Sequence, residues 1–187
     1  MAQKRKDWNG LISGFRASDL VFLDESGCNT DMTRRYAYSL GGSRAIDSAP
    51  LSKPKNTTIL SSIQLDGTLR YTTFSGGTTV ERFKRYLETD LLPHLNENSV
   101  LIMDNMKLHH AKAVKNLLDS SGVRYIYLPP YSPDLNPIEK LWSKVKAFLR
   151  KFKARTLDAL PNAIQNAFHS VTISDCSGWF RFCGYAL

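Results

Sequence analysis

The chain has 187 residues, 42% hydrophobic and 11% aromatic, which is enough for one domain with a sizeable core and too apolar for a disordered polymer. Its formal net charge of +8 favours a polyanionic partner, either nucleic acid or an anionic membrane surface. No apolar stretch approaches the ~20 residues of a membrane span, no apolar run follows the basic opening MAQKRKDWNG, and Cys28, Cys176 and Cys183 lack paired C-x-x-C spacing, so a spanning protein, a secreted disulfide framework and a zinc module are not expected.

Residues 1–19 are polar and mixed and are read as a partly ordered lead-in, with one domain over 20–187. Residues 20–24 form a short apolar run, expected as a buried strand. Arg34–Leu40 alternates and meets Gly41-Gly42, the pattern of a strand and turn. Thr57–Gln64 and Thr68–Phe74 flank Asp66-Gly67, the pattern of a hairpin. Val80, Phe83, Leu87 and Leu91 share one face of a helix over Thr78–Leu92, with Thr78 or Thr79 as cap and Pro93 as stop. A strand is expected at Val100–Met103, then a helix over His109–Leu118 ended by Gly122. Val123–Leu128 reads as a strand stopped by Pro129-Pro130. Pro137–Phe152 is a long amphipathic helix, and Thr156–Phe168 one more. Antiparallel strands followed by strands joined through helices describe an α/β fold, a mixed sheet with helices on both faces.

Three acids stand out. Asp24 follows Val21-Phe22-Leu23, Asp104 follows Val100–Met103, and Glu139 opens the last long helix, with 34 residues between Asp104 and Glu139. A carboxylate at the end of a buried strand is costly unless something positive sits beside it. If the first strand and the Val100 strand are neighbours, Asp24 and Asp104 leave from the same sheet edge, where sites form in such folds. Two aspartates and a helix glutamate can hold two Mg²⁺ or Mn²⁺ ions, since oxygen-only ligands suit hard cations and paired ions suit in-line displacement at phosphorus. Each acid also fits a plainer role. Asp24 fits a turn cap, with Glu25 as the working residue instead; Asp104-Asn105 fits turn chemistry. Asn136, Pro137 and Glu139 fit a capping box.

The motifs LDESG, IMDNMKLHH and LPPYSPDLNPIEKLWSKVK, in that order, together with the closing DCSGWFRFCGY, resemble the catalytic domain of DDE transposases of the mariner-like insertion-sequence superfamily, from about Val21 to Tyr185. The resemblance implies a ribonuclease-H-like fold, a five-stranded mixed sheet, with Asp24, Asp104 and Glu139 as the DDE triad. It implies hydrolysis at transposon ends and joining of the freed 3′-hydroxyl to target DNA, usually at TA. Asn105 and His109 fall at positions the family commonly fills, as active-site support. Members usually carry an N-terminal helix-turn-helix region. Only about 20 residues precede the first strand here, so that module is expected on an upstream protein or frame, the chain being a second frame, a degraded copy or a shortened form.

Lys140 and Lys144 lie near Glu139, and Arg34 and Arg44 flank the second expected strand; all four are candidate contacts to DNA backbone. The expected partners are transposon ends and target DNA, with a homodimer forming on DNA and no membrane. The expected location is the bacterial cytoplasm, at the nucleoid. Two rival readings stay open: a ribonuclease-H-like nuclease that cuts without joining, and a non-catalytic DNA-binding transposon remnant.

Overall fold

The computed structural model describes residues 2–34, 36–48, 50 and 54–185. Its centre is a five-stranded sheet in the order β3-β2-β1-β4-β5, where β1 is Leu20–Cys28, β2 Thr57–Ile63, β3 Leu69–Ser75, β4 Val100–Met103 and β5 Arg124–Tyr127. β1 and β2 are antiparallel, as are β2 and β3, whereas β4 runs parallel to both β1 and β5. This is the mixed α/β sheet expected from the element order.

The helices are α1 (Ala2–Ile12), α2 (Val80–Tyr86), α3 (Lys112–Ser121), α4 (Ile138–Phe152), α5 (Leu160–His169) and α6 (Ile173–Phe182). Alternation along β1 and β4 sorts them into two layers. Leu20, Phe22, Val100 and Ile102 face a core shared with Trp8 of α1 and the buried stripes of α4, α5 and α6. Val21, Leu23, Leu101 and Met103 face Phe83, Tyr86, Val114 and Leu118 of α2 and α3.

Several elements differ from expectation. β1 does not stop at 24 but runs to Cys28, because β2 pairs with it from Phe22↔Ile63 to Cys28↔Thr57. The expected helix over Thr78–Leu92 is regular only to Tyr86, then widens into a π turn at Leu87–Leu91 and tightens at Leu92–His94; Thr79 caps it by accepting from the Arg82 N–H. The helix expected from His109 begins at Lys112, after turns, and ends at left-handed Gly122 (φ 71°) as expected. The segment 1–19, read as partly ordered, carries α1, whose Trp8 is 3% exposed, and DCSGWFRFCGY lies largely in α6, opened by a Thr172/Asp175 capping box.

The strand expected at Arg34–Leu40 is not formed. Among the described residues of this segment the chain is irregular, and Tyr36, Tyr38 and Leu40 are exposed; Arg35 lies outside the described residues. The physical reason is that β1 already has β2 on one side and β4 on the other, so the segment after β1 finds no open edge there. The described residues between 29 and 56 form an arm. The arm is tied back by Arg155, whose guanidinium donates to the Thr30 and Met32 carbonyls, and by a Lys153–Asp47 ion pair.

Candidate active site

The parallel register pairs Leu23 with Met103, so Asp24 and Asp104 occupy equivalent next positions on neighbouring strands. Asp24 has the parity of Leu20 and Phe22 and therefore faces the α4 layer. Glu139 sits in the first turn of α4. Asp24, Asp104 and Glu139 line one cavity of about 430 Å³ with Asn105, Asn136 and Tyr131.

Asp24 is 8% exposed. Burial pushes its carboxyl up to about 7, and the negative charges of Asp104 and Glu139 push the same way; hydrogen bonds from the Glu25 backbone and the Trp142 side chain oppose them. The Trp142 indole Nε1–H donates to Asp24 Oδ2 at 3.0 Å from α4, one turn beyond Glu139. One helix thus supplies both the third acid and a clamp on the first. The Trp142 ring is buried in the core, and its polar edge has this separate role.

Asp104 is held from behind. Its Oδ1 accepts from the Met106 N–H at 2.9 Å and meets His109 Nδ1 at 2.8 Å. Burial alone would raise this carboxyl, but the bonds from His109 and Met106 outweigh it and hold it below the usual range. His109 is fully buried, packs 4.6 Å from the Phe83 ring centroid and points its Nε2 at Glu25 Oε2, 3.9 Å away. Burial would depress the imidazole, yet its hydrogen bond to Asp104, with the Glu25 carboxylate nearby, lifts it to about 9. Glu25 has the opposite parity to Asp24 and faces the α2/α3 layer, which is why it meets His109. His109 does not line the cavity; it braces Asp104.

The loop before α4 shapes the other wall. The Leu128 N–H donates to the Met103 carbonyl at 2.8 Å, and the Asn105 amide donates to the Leu128 carbonyl. Asn105 Oδ1 also lies 3.1 Å from His110 Nε2, giving His110 a place that sequence reading did not. Tyr131 stands at the rim, 86% exposed, with the backbone in the left-handed region at φ 55°. The capping-box arrangement at Asn136 and Glu139 is not made: Pro137 takes the cap position with no side-chain bond. Asn136 is 4% exposed and its Oδ1 has no partner, while Glu139 remains exposed.

These groups fit a hard divalent cation by their chemistry. They are carboxylate and amide oxygens, one acid is buried at energetic cost, and one buried amide oxygen is unpartnered. Among the described residues no three His, Cys, Asp or Glu side chains converge tightly enough to enclose a single ion. A site completed by water and phosphate oxygens needs no such closure.

The basic candidates are distributed unevenly. Lys144 pairs with Asp175 at 2.5 Å, and Lys140 Nζ lies 3.8 Å over the Phe182 ring, so both are engaged within the molecule. Arg34 lines a groove beside α4, and Arg44 is exposed on the arm. The cysteines are free and buried, each thiol pushed up to about 11 by burial, which leaves them inert. No helix of the described residues is long and apolar enough to cross a membrane.

The chain is similar to the Tc1 transposable-element transposase of Caenorhabditis elegans, 30% identical over 97 residues that make up 50% of this chain and 36% of that protein. It therefore spans about a third of that relative's length. Among solved structures, a pre-cleavage Mos1 transpososome aligns with a TM-score of 0.82 at 18% identity, over 97% of this chain and 58% of that one. The catalytic domain of Mos1 mariner transposase aligns at 0.68 and 16% identity, over 96% and 85%. Mos1 paired-end complexes with Mn and with Mg align at 0.75 and 0.69, with 19% and 18% identity, each over 57% of its own chain and over 95% and 97% of this one. At these identities the structural likeness speaks for the fold, a mixed five-stranded α/β sheet matching the Mos1 catalytic domain. The DDE superfamily endonuclease model matches residues 19–161, which take in β1, β4 and all three cavity acids, and the chain belongs to that family.

Proposed function

We propose that the chain is the catalytic domain of a DNA transposase, with Asp24, Asp104 and Glu139 as the acidic triad. The observation that carries this reading is that three acids from distant parts of the chain line one cavity. Asp24 and Asp104, with Glu139 and the amide oxygen of Asn136, would hold two Mg²⁺ or Mn²⁺ ions. Such ions activate a water or hydroxyl as nucleophile and stabilise the leaving oxygen in phosphodiester displacement. The protein's own contribution is alignment. Trp142 holds one oxygen of Asp24, and His109 and the Met106 N–H hold one oxygen of Asp104. Glu139, on the rigid first turn of α4, is set against both.

The substrates in this reading are transposon ends and target DNA, handled by a homodimer on DNA, with a helix-turn-helix module from an upstream protein or frame for end recognition. The solved Mos1 paired-end and transpososome complexes support it by analogy of fold. A nucleoid location belongs to the same reading, since it rests on a DNA substrate in a bacterial host. The matched curated relatives are nematode proteins, so bacterial origin rests on the sequence resemblance alone.

Asp104→Ala should abolish Mg²⁺- or Mn²⁺-dependent cleavage of a duplex carrying the element end while leaving the circular dichroism spectrum unchanged. Cleavage at the wild-type rate by that variant would refute the triad assignment. A pre-cut end supplied with target plasmid separates the readings: joined product supports a transposase, and cutting without joining favours a nuclease. Absence of Mn²⁺ binding by calorimetry would favour a non-catalytic remnant.

A further inference from the structure

α4 presents two distinct basic faces. At 100° per residue, Lys140 and Lys144 are turned about 100° and 140° from Glu139, toward Phe182 and Asp175, with which they interact. Positions seven and eleven residues beyond Glu139 return to within about 20° of it. Those positions are Lys146 and Arg150. Proximity in sequence thus points to one pair of cations, and helix geometry points to the other.

Lys146 and Arg150 open into a groove of about 920 Å³, whose opposite wall is the end of β1 at Gly27 and Cys28 and the start of the arm, including Arg34 and Tyr36. Three cations meet there against one acid, Asp31. Among the described residues, none of the three forms a salt bridge or a side-chain hydrogen bond. The arm is held by other cations, Arg155 and Lys153, at the far end of α4. Like charges gathered along one groove repel each other, and a polyanion laid between them offsets that repulsion.

Direction matters as much as charge. β1 and α4 both run from the acid cavity into this groove, β1 from Asp24 to Cys28 and α4 from Glu139 to Arg150. Lys146 and Arg150 lie roughly 10 and 16 Å from Glu139 along the helix axis. At about 3.4 Å of duplex axis per nucleotide of one strand, they stand about three and five steps from the acid. A recessed channel leading out of a phosphodiester-cleaving centre suits a nucleic-acid backbone and does not suit a flat bilayer.

We propose that this groove binds the backbone of the DNA strand leading away from the attacked linkage, with Lys146, Arg150 and Arg34 on its phosphates. The inference rests on the reading of the cavity as a DNA-cleaving centre. The test uses the whole chain in EDTA and a fluorescent 30-base-pair duplex, with affinity followed by anisotropy across salt concentrations. The double variant K146Q/R150Q should bind at least tenfold more weakly, with a log–log salt slope shallower by about 2, since each phosphate contact contributes about 0.9. Arg34→Gln, on the other wall and outside regular structure, should lower the slope by about 1, and it carries the test if the double variant fails to fold. K112Q/K115Q makes the same charge change on α3, on the opposite face of the sheet, and should bind like wild type. Equal losses from the α3 and α4 variants, or no loss from Lys146, Arg150 or Arg34, would overturn the groove assignment. Mn²⁺ binding by calorimetry should be the same in wild type and the groove variants. Loss of that binding in wild type as well would instead count against the cleavage-centre reading beneath it.

Discussion

At Asp24 two demands oppose each other. The carboxylate is buried and faces two other acids, yet the indole of Trp142 holds one of its oxygens. Trp142→Phe keeps most of the ring and removes the donor. Leaving a buried acceptor without its donor costs about 1–3 kcal/mol, and urea denaturation in EDTA at neutral pH should show a loss of that size. The same variant should need more Mn²⁺ for half-maximal cleavage; wild-type behaviour in both assays would show that the bond contributes nothing. The raised carboxyl also has a pH signature. Between the ordinary aspartate value and about 7, the folded protein keeps the Asp24 proton while the unfolded chain has lost it, so Asp24 lowers stability progressively as pH rises through that window. Asp24→Asn should therefore match wild type near pH 4, gain on it up to at most about 4 kcal/mol by pH 7, and gain no more above that. Metal-free urea melts at a series of pH values measure the difference, and a flat difference across this range contradicts it.

Among the elements, the arm after β1 differs most from its sequence pattern. Tyr36, Tyr38 and Leu40 alternate as a half-buried strand would, but alternation records only which residues share a side, not whether an edge is open to pair with. Here both edges of β1 are taken. Chymotrypsin under native conditions should cut first after Tyr36, Tyr38 or Leu40, and the two fragments should co-elute, because β1 stays paired with both β2 and β4. First cuts in β4, α3 or α4 would contradict this. The remaining strands and the long helices were legible because their apolar runs and stripes are unambiguous, as in Val100–Met103 and the Ile138–Leu149 stripe. α6 was hidden by its composition, since Gly178 and the polar opening of DCSGWF dilute its stripe, and α1 by a mostly polar sequence that packs through Trp8 and Ile12. At the site, the common sheet edge of Asp24 and Asp104 was legible from strand order, whereas Glu139 beside them came only with the motif resemblance. His109 was expected as active-site support, but the bonds by which it braces Asp104, and the places of Trp142 and Glu25, were not legible, because they depend on which layer each side chain faces once the strands are paired.

Across the whole molecule, two cores pack on the two faces of the sheet, and the three acids gather where β1, β4 and α4 come together. Asp24 lies early in the chain, its neighbour strand begins at Val100, and Glu139 comes later still. The parallel pairing of Leu20 with Val100 cannot form until the hairpin, α2 and β4 have all been made. During synthesis, a ribosome therefore carries a growing polypeptide that holds the first acid long before the other two emerge. An interrupted product ending anywhere before α4 lacks one corner of the acid cluster.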